Sequence, residues 1–346
     1  MKINMLKLLG CAAFVCCFAL VTQAQSVSST PVGYVTLTIN GSGYTALSNP
    51  LENAVVYSGT ASSVSGSDIT TSFSMTDSEL SATDAEGNSS HYIQTSSGLI
   101  VEVTANSTSA ITLASDVSSL ISDGDTILVK KFSTIADLLS SDNSIGLTSG
   151  ADLTTSDVVY IMSADGAGAY ATYYYQTDPF GGFFGGNGWR GAGSNSTDVS
   201  NVILHPDDGI IVKRISAGDI SFVTTGTVNT VNHSRSLPAG FSLVAYPFPT
   251  DTTLADSGIY SASNGYVSGA DVTTSDVVYV ISPAGAFDLY YYQTDPFGGF
   301  FGGNGWRSTT SNSVDVGTNV IPAGSSIIIK HIGTGLAWSD DIPYSL

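Results

Sequence analysis

The chain is short of charge, and shortest of positive charge. Of 346 residues, 10 are Lys or Arg and 29 are Asp or Glu, a formal net charge of −19. Charged residues make up 11% of the chain, against roughly 25% in an average soluble protein. Glu is scarce as well: Glu52, Glu79, Glu86 and Glu102 stand beside 25 Asp. Such a surface has to be solvated by Ser, Thr, Asn and Gly rather than by ion pairs. An acidic chain with so little Lys and Arg repels phosphate groups, which argues against nucleic acid and anionic lipid as partners.

Cysteine is confined to Cys11, Cys16 and Cys17. Those residues fall inside a segment, 1–24, that reads as a secretory signal peptide. Lys2 and Lys7 form its basic start, Leu8 to Val21 its apolar run, and Thr22-Gln23-Ala24 its small-residue end. Leu8-Leu9-Gly10 before Cys11 also suggests a lipoprotein site, but almost no apolar segment precedes that cysteine. Cleavage near Gln25 leaves a mature chain without cysteine, which excludes disulfides, zinc-thiolate sites and cysteine nucleophiles. No later run is long enough to span a bilayer as a helix. The expected location is outside the cytoplasm: secreted and extracellular, at the cell surface, or periplasmic, with no membrane span after cleavage.

Catalytic motifs are lacking. There is no G-x-S-x-G elbow and no H-E-x-x-H. His91, His205, His233 and His331 are scattered without ligand spacing. Asp178 and Asp295 each precede Pro and suit turn initiation. Asp123-x-Asp125, Asp207-Asp208-Gly209 and Asp340-Asp341 are acidic turns that raise calcium as a cofactor, but the fuller carboxylate ladder of an EF-hand is missing. Asx-turns leading into strands account for them, so the expectation is no cofactor and no enzyme.

What the chain does have is self-similarity. Ser149 to Tyr160 returns as Ser268 to Tyr279 with a single change, Leu153 to Val272. Tyr173 to Arg190, YYYQTDPFGGFFGGNGWR, returns residue for residue as Tyr290 to Arg307. Each copy then closes on a strand, Gly209 to Lys213 and Ser326 to Lys330. Asp123 to Lys130 looks like the same closing strand, and Gly43 to Pro50 resembles Gly240 to Pro247. The chain therefore reads as three consecutive units after the signal: an N-terminal β unit at 25–131, repeat unit 1 at 132–222 and repeat unit 2 at 223–346. Recent duplication would explain the identical block; a contact made twice would also, and would make the protein bivalent.

Apolar residues alternate with polar ones through most of the chain. Val35, Leu37 and Ile39 fall on one face and Thr36 and Thr38 on the other, and Leu99 to Val103, Thr126 to Val129, Val158 to Met162 and Val277 to Ile281 continue the pattern. β-Branched and aromatic residues fill these runs, and Gly, Asn, Asp, Ser and Pro punctuate them. Short helical turns are expected at 134–139, with Ser133 or Thr134 as N-cap, at 116–121 and at 252–256. The fold expected is all-β, with tandem antiparallel β-sandwich or small β-barrel units and few short helices.

Several short motifs carry a family resemblance: Pro31-Val-Gly-Tyr-Val-Thr-Leu-Thr38, His91-Tyr-Ile-Gln-Thr-Ser-Ser-Gly98, Val103-Thr-Ala-Asn106, Gly124-Asp125, the Tyr-rich strands leading to Trp189 and Trp306, and Trp338 with Pro343-Tyr344. In these the chain resembles a paralogous family of secreted bacterial all-β proteins of unassigned function. The resemblance implies export and an all-β fold and brings no catalytic residue with it. The Phe-Gly inserts at 180–188 and 297–305 depart from the plainer family pattern.

Those inserts are the candidate contact sites. Tyr173 and Tyr175 share one face of a strand, with Tyr174 on the other; Phe183 and Phe184 then sit among glycines ahead of Trp189, and Tyr290, Tyr292, Phe300, Phe301 and Trp306 repeat the arrangement. Exposed, these rings would stack on sugars or dock on another protein. Folded back, they would cap a core, the preferred reading for Trp189 and Trp306; the glycines around the phenylalanines favour exposure there. Edges raise a second point. No Lys or Arg occurs from Leu8 to Val129, so the N-terminal unit lacks the usual guard against strand addition and is expected to pair edge to edge with another copy or another surface protein. The function expected is that of an exported, non-catalytic structural or adhesive protein of the cell surface or extracellular matrix. The alternative is a carbohydrate-binding protein that grips extracellular polysaccharide with the repeated loops.

Overall fold

A computed structural model describes residues 30–345, apart from 165, 179, 180, 183, 184, 283, 296–298, 300 and 301. Residues 1–24, which read in sequence as a signal peptide, and the three cysteines among them lie outside the described residues. Contacts separate Met1–Pro31 from Val32–Leu346, and the second of these is the fold described below.

The chain enters through β1 (Val32–Ile39), whose alternation buries Leu37 and Ile39 and leaves Tyr34 exposed. After β2 (Tyr44–Leu47) it runs through six strands: β3 (Val55–Ser65), β4 (Asp68–Thr71), β5 (His91–Thr95), β6 (Ile100–Asn106), β7 (Ala110–Leu113) and β8 (Thr126–Lys131). These close into a barrel of order β3-β4-β7-β6-β5-β8, with β8 pairing back onto β3. Ile69, Ile93, Val103, Ile111, Ile127 and Val129 fill it. A closed sheet has no open edge. Closure pairs the edges of the barrel strands within the chain, so lysines are not needed as guards there; β1 and β2, which belong to the same N-terminal stretch, lie outside the barrel.

Next come β9 (Ser133–Thr134) and the short helix α1 (Ile135–Leu139). Thr134 is the N-cap, and its hydroxyl and the Asp137 carboxylate form a capping box. Of the three expected helical turns only this one is a helix; 116–121 is turn, and 252–256 begins with a two-residue strand. The chain continues with β10 (Val158–Met162), β11 (Tyr170–Gln176), β12 (Gly188–Gly191), β13 (Ile203–Leu204), β14 (Ile210–Lys213) and β15 (Ile220–Thr227). The sheet they build has order β12-β11-β10-β14-β2, while β15 pairs with β1 and β13 with β9.

The last third repeats this plan: β16 (His233–Leu237), β17 (Gly240–Ala245), β18 (Thr252–Thr253), β19 (Val277–Ile281), β20 (Phe287–Gln293), β21 (Gly305–Ser308), β22 (Val320–Ile321), β23 (Ser326–His331) and β24 (Leu336–Asp340). Their sheet has order β17-β23-β19-β20-β21, with β16 on β24 and β18 on β22. Element for element, β16 and β17 stand for β1 and β2. The pairing thus divides the chain differently from three consecutive units. The first copy is β1 and β2 joined to β9 through β15, and the barrel is inserted between β2 and β9. Thr126–Lys131 shares a sequence pattern with the closing strands but is the strand that closes the barrel. A boundary at 222 would also cut β15, whose register with β1 runs through Thr227. The insertion is tolerated because its ends meet: the Asn53 side chain donates to the carbonyl of Lys131 at 3.0 Å.

The two copies face each other in a reciprocal way. Ser48 N–H donates to the carbonyl of Gly324 at 2.9 Å, and Ala245 N–H, its counterpart, donates to Asp207 at 2.9 Å. Leu47 bridges to Ser325 as Val244 bridges to Asp208. Met162, Ile211, Leu243 and Ile328 fill the seam. Lys213 lies over the Tyr44 ring as Lys330 lies over Phe241. The chain therefore contains its own pseudo-two-fold pair.

Candidate functional site

The two sequence blocks shared by the copies meet in space. Thr177 N–H donates to the Gly150 carbonyl at 3.1 Å, and Thr294 N–H to Gly269 at 3.1 Å. Each copy thus carries one patch, made of the turn at 151–155 or 270–274 and the adjoining Phe-Gly loop. The turn is built by Asp152, whose Oδ1 accepts from the N–H and hydroxyl of both Thr154 and Thr155. These bonds hold the Asp152 carboxyl below its usual range, Thr154 and Thr155 hydroxyls first, and Asp271 repeats the arrangement.

The loop is longer than the hairpin needs. Gln176 and Gly188 are paired across β11 and β12, so the eleven residues 177–187 span a gap that two residues can close. Its base is pinned from below. Arg190, 1% exposed, donates Nη2 to the carbonyls of Gly185 and Gly186 at 2.9 and 3.0 Å, Nη1 to Trp189, and Nε to Asn195. Gly185 and Gly186 have φ of 78° and 77°, a conformation that glycine adopts without strain and that aims both carbonyls at the guanidinium. Gln176 donates to Gly186, Asn187 accepts from Asp178 N–H, and Asp178 accepts from Gly182 N–H. Arg307, Gln293, Asn304 and Asp295 reproduce this frame. Arg190 and Arg307 were not among the sequence candidates. Their signal was present all the same, two of ten basic residues kept in identical blocks.

Most of the aromatic candidates turn out to be core. Trp189 is 0% and Trp306 3% exposed. Trp189 donates its indole N–H to the Ser140 carbonyl at 2.8 Å and meets Tyr175 edge to face. Tyr173 and Tyr175 share a face, as alternation predicts, and that face is the first core, where burial pushes the Tyr173 hydroxyl up to about 12. Tyr290 and Tyr292 are half-buried against the second core with Trp306. Burial turns Tyr173, Tyr175, Trp189 and Trp306 away from a ligand, and a sugar has no access to the tryptophan faces; Tyr290 and Tyr292 keep part of their surface exposed. Phe183, Phe184, Phe300 and Phe301 lie outside the described residues; the neighbouring Gly181, Gly182 and Gly185 are exposed.

The acidic turns have partners of their own. Asp123 accepts from Val64 N–H, Asp125 from Ser122 N–H and Asp340 from Asp341 N–H. Asp207 and Asp208 both pair with Arg235, at 3.1 and 2.7 Å. Among the described residues no three His, Cys, Asp or Glu gather in a way that could hold a metal ion. The cavities at the barrel junction, about 20 and 10 Å³, hold no more than a water each. No helix is long and apolar enough to cross a membrane among the described residues. No family model, no curated protein and no solved structure matches this chain.

Proposed function

We propose that this is an exported, non-catalytic adhesive protein of the cell surface or extracellular matrix, which grips its partner with two equivalent Phe-Gly loops. The observation that carries this reading is the duplicated frame. Each copy buries an arginine to pin an eleven-residue loop where a two-residue turn would close the strands. Burying a guanidinium is costly unless its donors are satisfied, and in each copy Nη2 is spent on two carbonyls of the loop. Elsewhere the copies have diverged. Gly191-Ala192-Gly193 has become Ser308-Thr309-Thr310, and Arg214 on Asp157 has become His331 on Asp276. Duplication that was merely recent would have spared those positions too. Two loops on one chain give avidity of roughly 10²–10⁴ over a single contact when both engage.

The test is retention of the mature chain on insoluble polysaccharides and on immobilised mature chain. The phenylalanine pair would be changed to alanine in one loop (Phe183→Ala, Phe184→Ala), in the other (Phe300→Ala, Phe301→Ala), or in both. One altered loop should weaken retention through lost avidity, and two should abolish it. Equal retention of the wild type and the four-site variant on every surface would overturn the reading.

A further inference from the structure

A groove of about 390 Å³ lies beside the first loop. Pockets that take small ligands begin near ~300 Å³. Asp152, Thr154, Tyr174 and the segment from Gly191 to Asn195 line it. Both retained blocks therefore contribute to it. We infer that this groove is a subsite for one residue of a neutral polysaccharide. The inference deepens the adhesive reading and rests on it for the partner's being extracellular.

The lining has the chemistry of hydroxyl recognition. The hydrogen bonds that build the Asp152 turn fall on Oδ1, which leaves Oδ2 to accept from a sugar hydroxyl. The Asn195 carbonyl accepts from Arg190 Nε at 3.0 Å, which holds this rim down, and the Asn195 side-chain amide has no intramolecular partner among the described residues. It offers both a donor and an acceptor. No basic side chain lines the groove. An anionic sugar would meet the Asp152 carboxylate and the field of a chain of net charge −19, so an uncharged one fits.

The second copy supplies an internal control. In sequence, Asp271, Thr273 and Tyr291 match Asp152, Thr154 and Tyr174, but the rim there is Ser308-Thr309-Thr310 instead of Gly191-Ala192-Gly193. Those side chains would occupy space that glycine leaves open. A Cβ on Gly193 would meet nothing within 4 Å, whereas one on Gly191 would face the Tyr173 ring, at 3.9 Å, on the core side of the sheet. Giving copy 1 the outer rim of copy 2 (Ala192→Thr, Gly193→Thr) should fill the groove without disturbing the fold.

The experiment titrates the mature chain with neutral hexasaccharides (β-1,4- and β-1,3-glucan, chitin, mannan) and an anionic oligouronate, by calorimetry. The expected result is one neutral oligosaccharide bound at one site per chain. The rim variant should bind it at least tenfold more weakly. Unchanged affinity in the rim variant, two sites per chain, preference for the oligouronate, or no binding of any neutral sugar would each overturn the inference. Retention of the phenylalanine variants tests adhesion by the loops separately, so the two can fail independently.

Discussion

Lys130 of the barrel donates to Glu52, which lies just after β2 of the first copy, and the two side chains are each 5% exposed. Gln94 closes the group: its amide donates to Glu52 at 3.0 Å and its carbonyl accepts from Lys130. A buried pair of this kind is weak evidence for stability, yet removing one member strands the other charge. Lys130→Met should therefore cost ~3–5 kcal/mol. Lys130→Met with Glu52→Gln leaves no buried charge and should recover at least half of the loss. Guanidinium unfolding checks both, and a single variant within 1 kcal/mol of wild type would show that the junction is wetter than the geometry indicates.

The tryptophans give a prediction that separates core from contact. Trp189→Ala and Trp306→Ala should each destabilise by ~3–5 kcal/mol, the usual cost of emptying a buried aromatic site, and the first also strands the Ser140 carbonyl. Trp189→Phe should cost less. At a temperature where near-ultraviolet circular dichroism shows the variants folded, retention per folded molecule should equal that of the wild type. Retention lost while the fold is kept would return the tryptophans to the contact surface.

Two histidines set opposite pH trends. At His205, burial lowers the pKa, but the bond to Glu102 and the charges of Asp208 and Asp207 outweigh it and leave the imidazole above its ordinary value. A raised folded pKa contributes stability below the unfolded value of about 6.5, and that stability is lost as pH rises through the folded value. At His91, burial and then Lys131 lower the pKa, so its contribution is lost in the other direction, as acid protonates it in the unfolded chain first. His205→Gln should flatten the decline in melting temperature above pH ~6.5, and His91→Gln the decline below it. Parallel melting curves of wild type and His205→Gln between those limits would refute the first assignment.

Much of this could be read from residues alone, and the limits have physical causes. The alternation of β1, the Thr134 cap and the Asp178 turn are local, set by neighbours in sequence, and all three could be read without a structure. The inserted barrel is set by the pairing of Val55 with Lys130, residues far apart in the chain, and no local pattern announces it. Thr126–Lys131 misleads because a buried strand that ends in lysine looks the same whichever sheet it joins. Tyr173, Tyr175 and Trp189 mislead for a related reason. Tyr and Trp suit a sugar platform and a core seam equally, and only register shows which way they face.

In each copy the loop frame hangs on one buried guanidinium. Arg190 uses Nε, Nη1 and Nη2 on backbone carbonyls, whereas the Nε of Arg307 is buried without a partner among the described residues. Lysine keeps the charge but has no planar fork to reach the Gly185 and Gly186 carbonyls together. Arg190→Lys should therefore release the loop while the sheet stays formed, and it should do so more fully than Arg307→Lys, which has one fewer bond to lose. Hydrogen exchange reads this at the Gly185 amide, which donates to Gly182 at 3.2 Å, and at its counterpart Gly302, also at 3.2 Å. Protection at Gly185 should fall at least tenfold in Arg190→Lys, with the amides of β10 and β14 unchanged. A uniform loss across the sheet would make Arg190 a general fold stabiliser. No loss at Gly185 would mean that the loop holds its shape without the guanidinium.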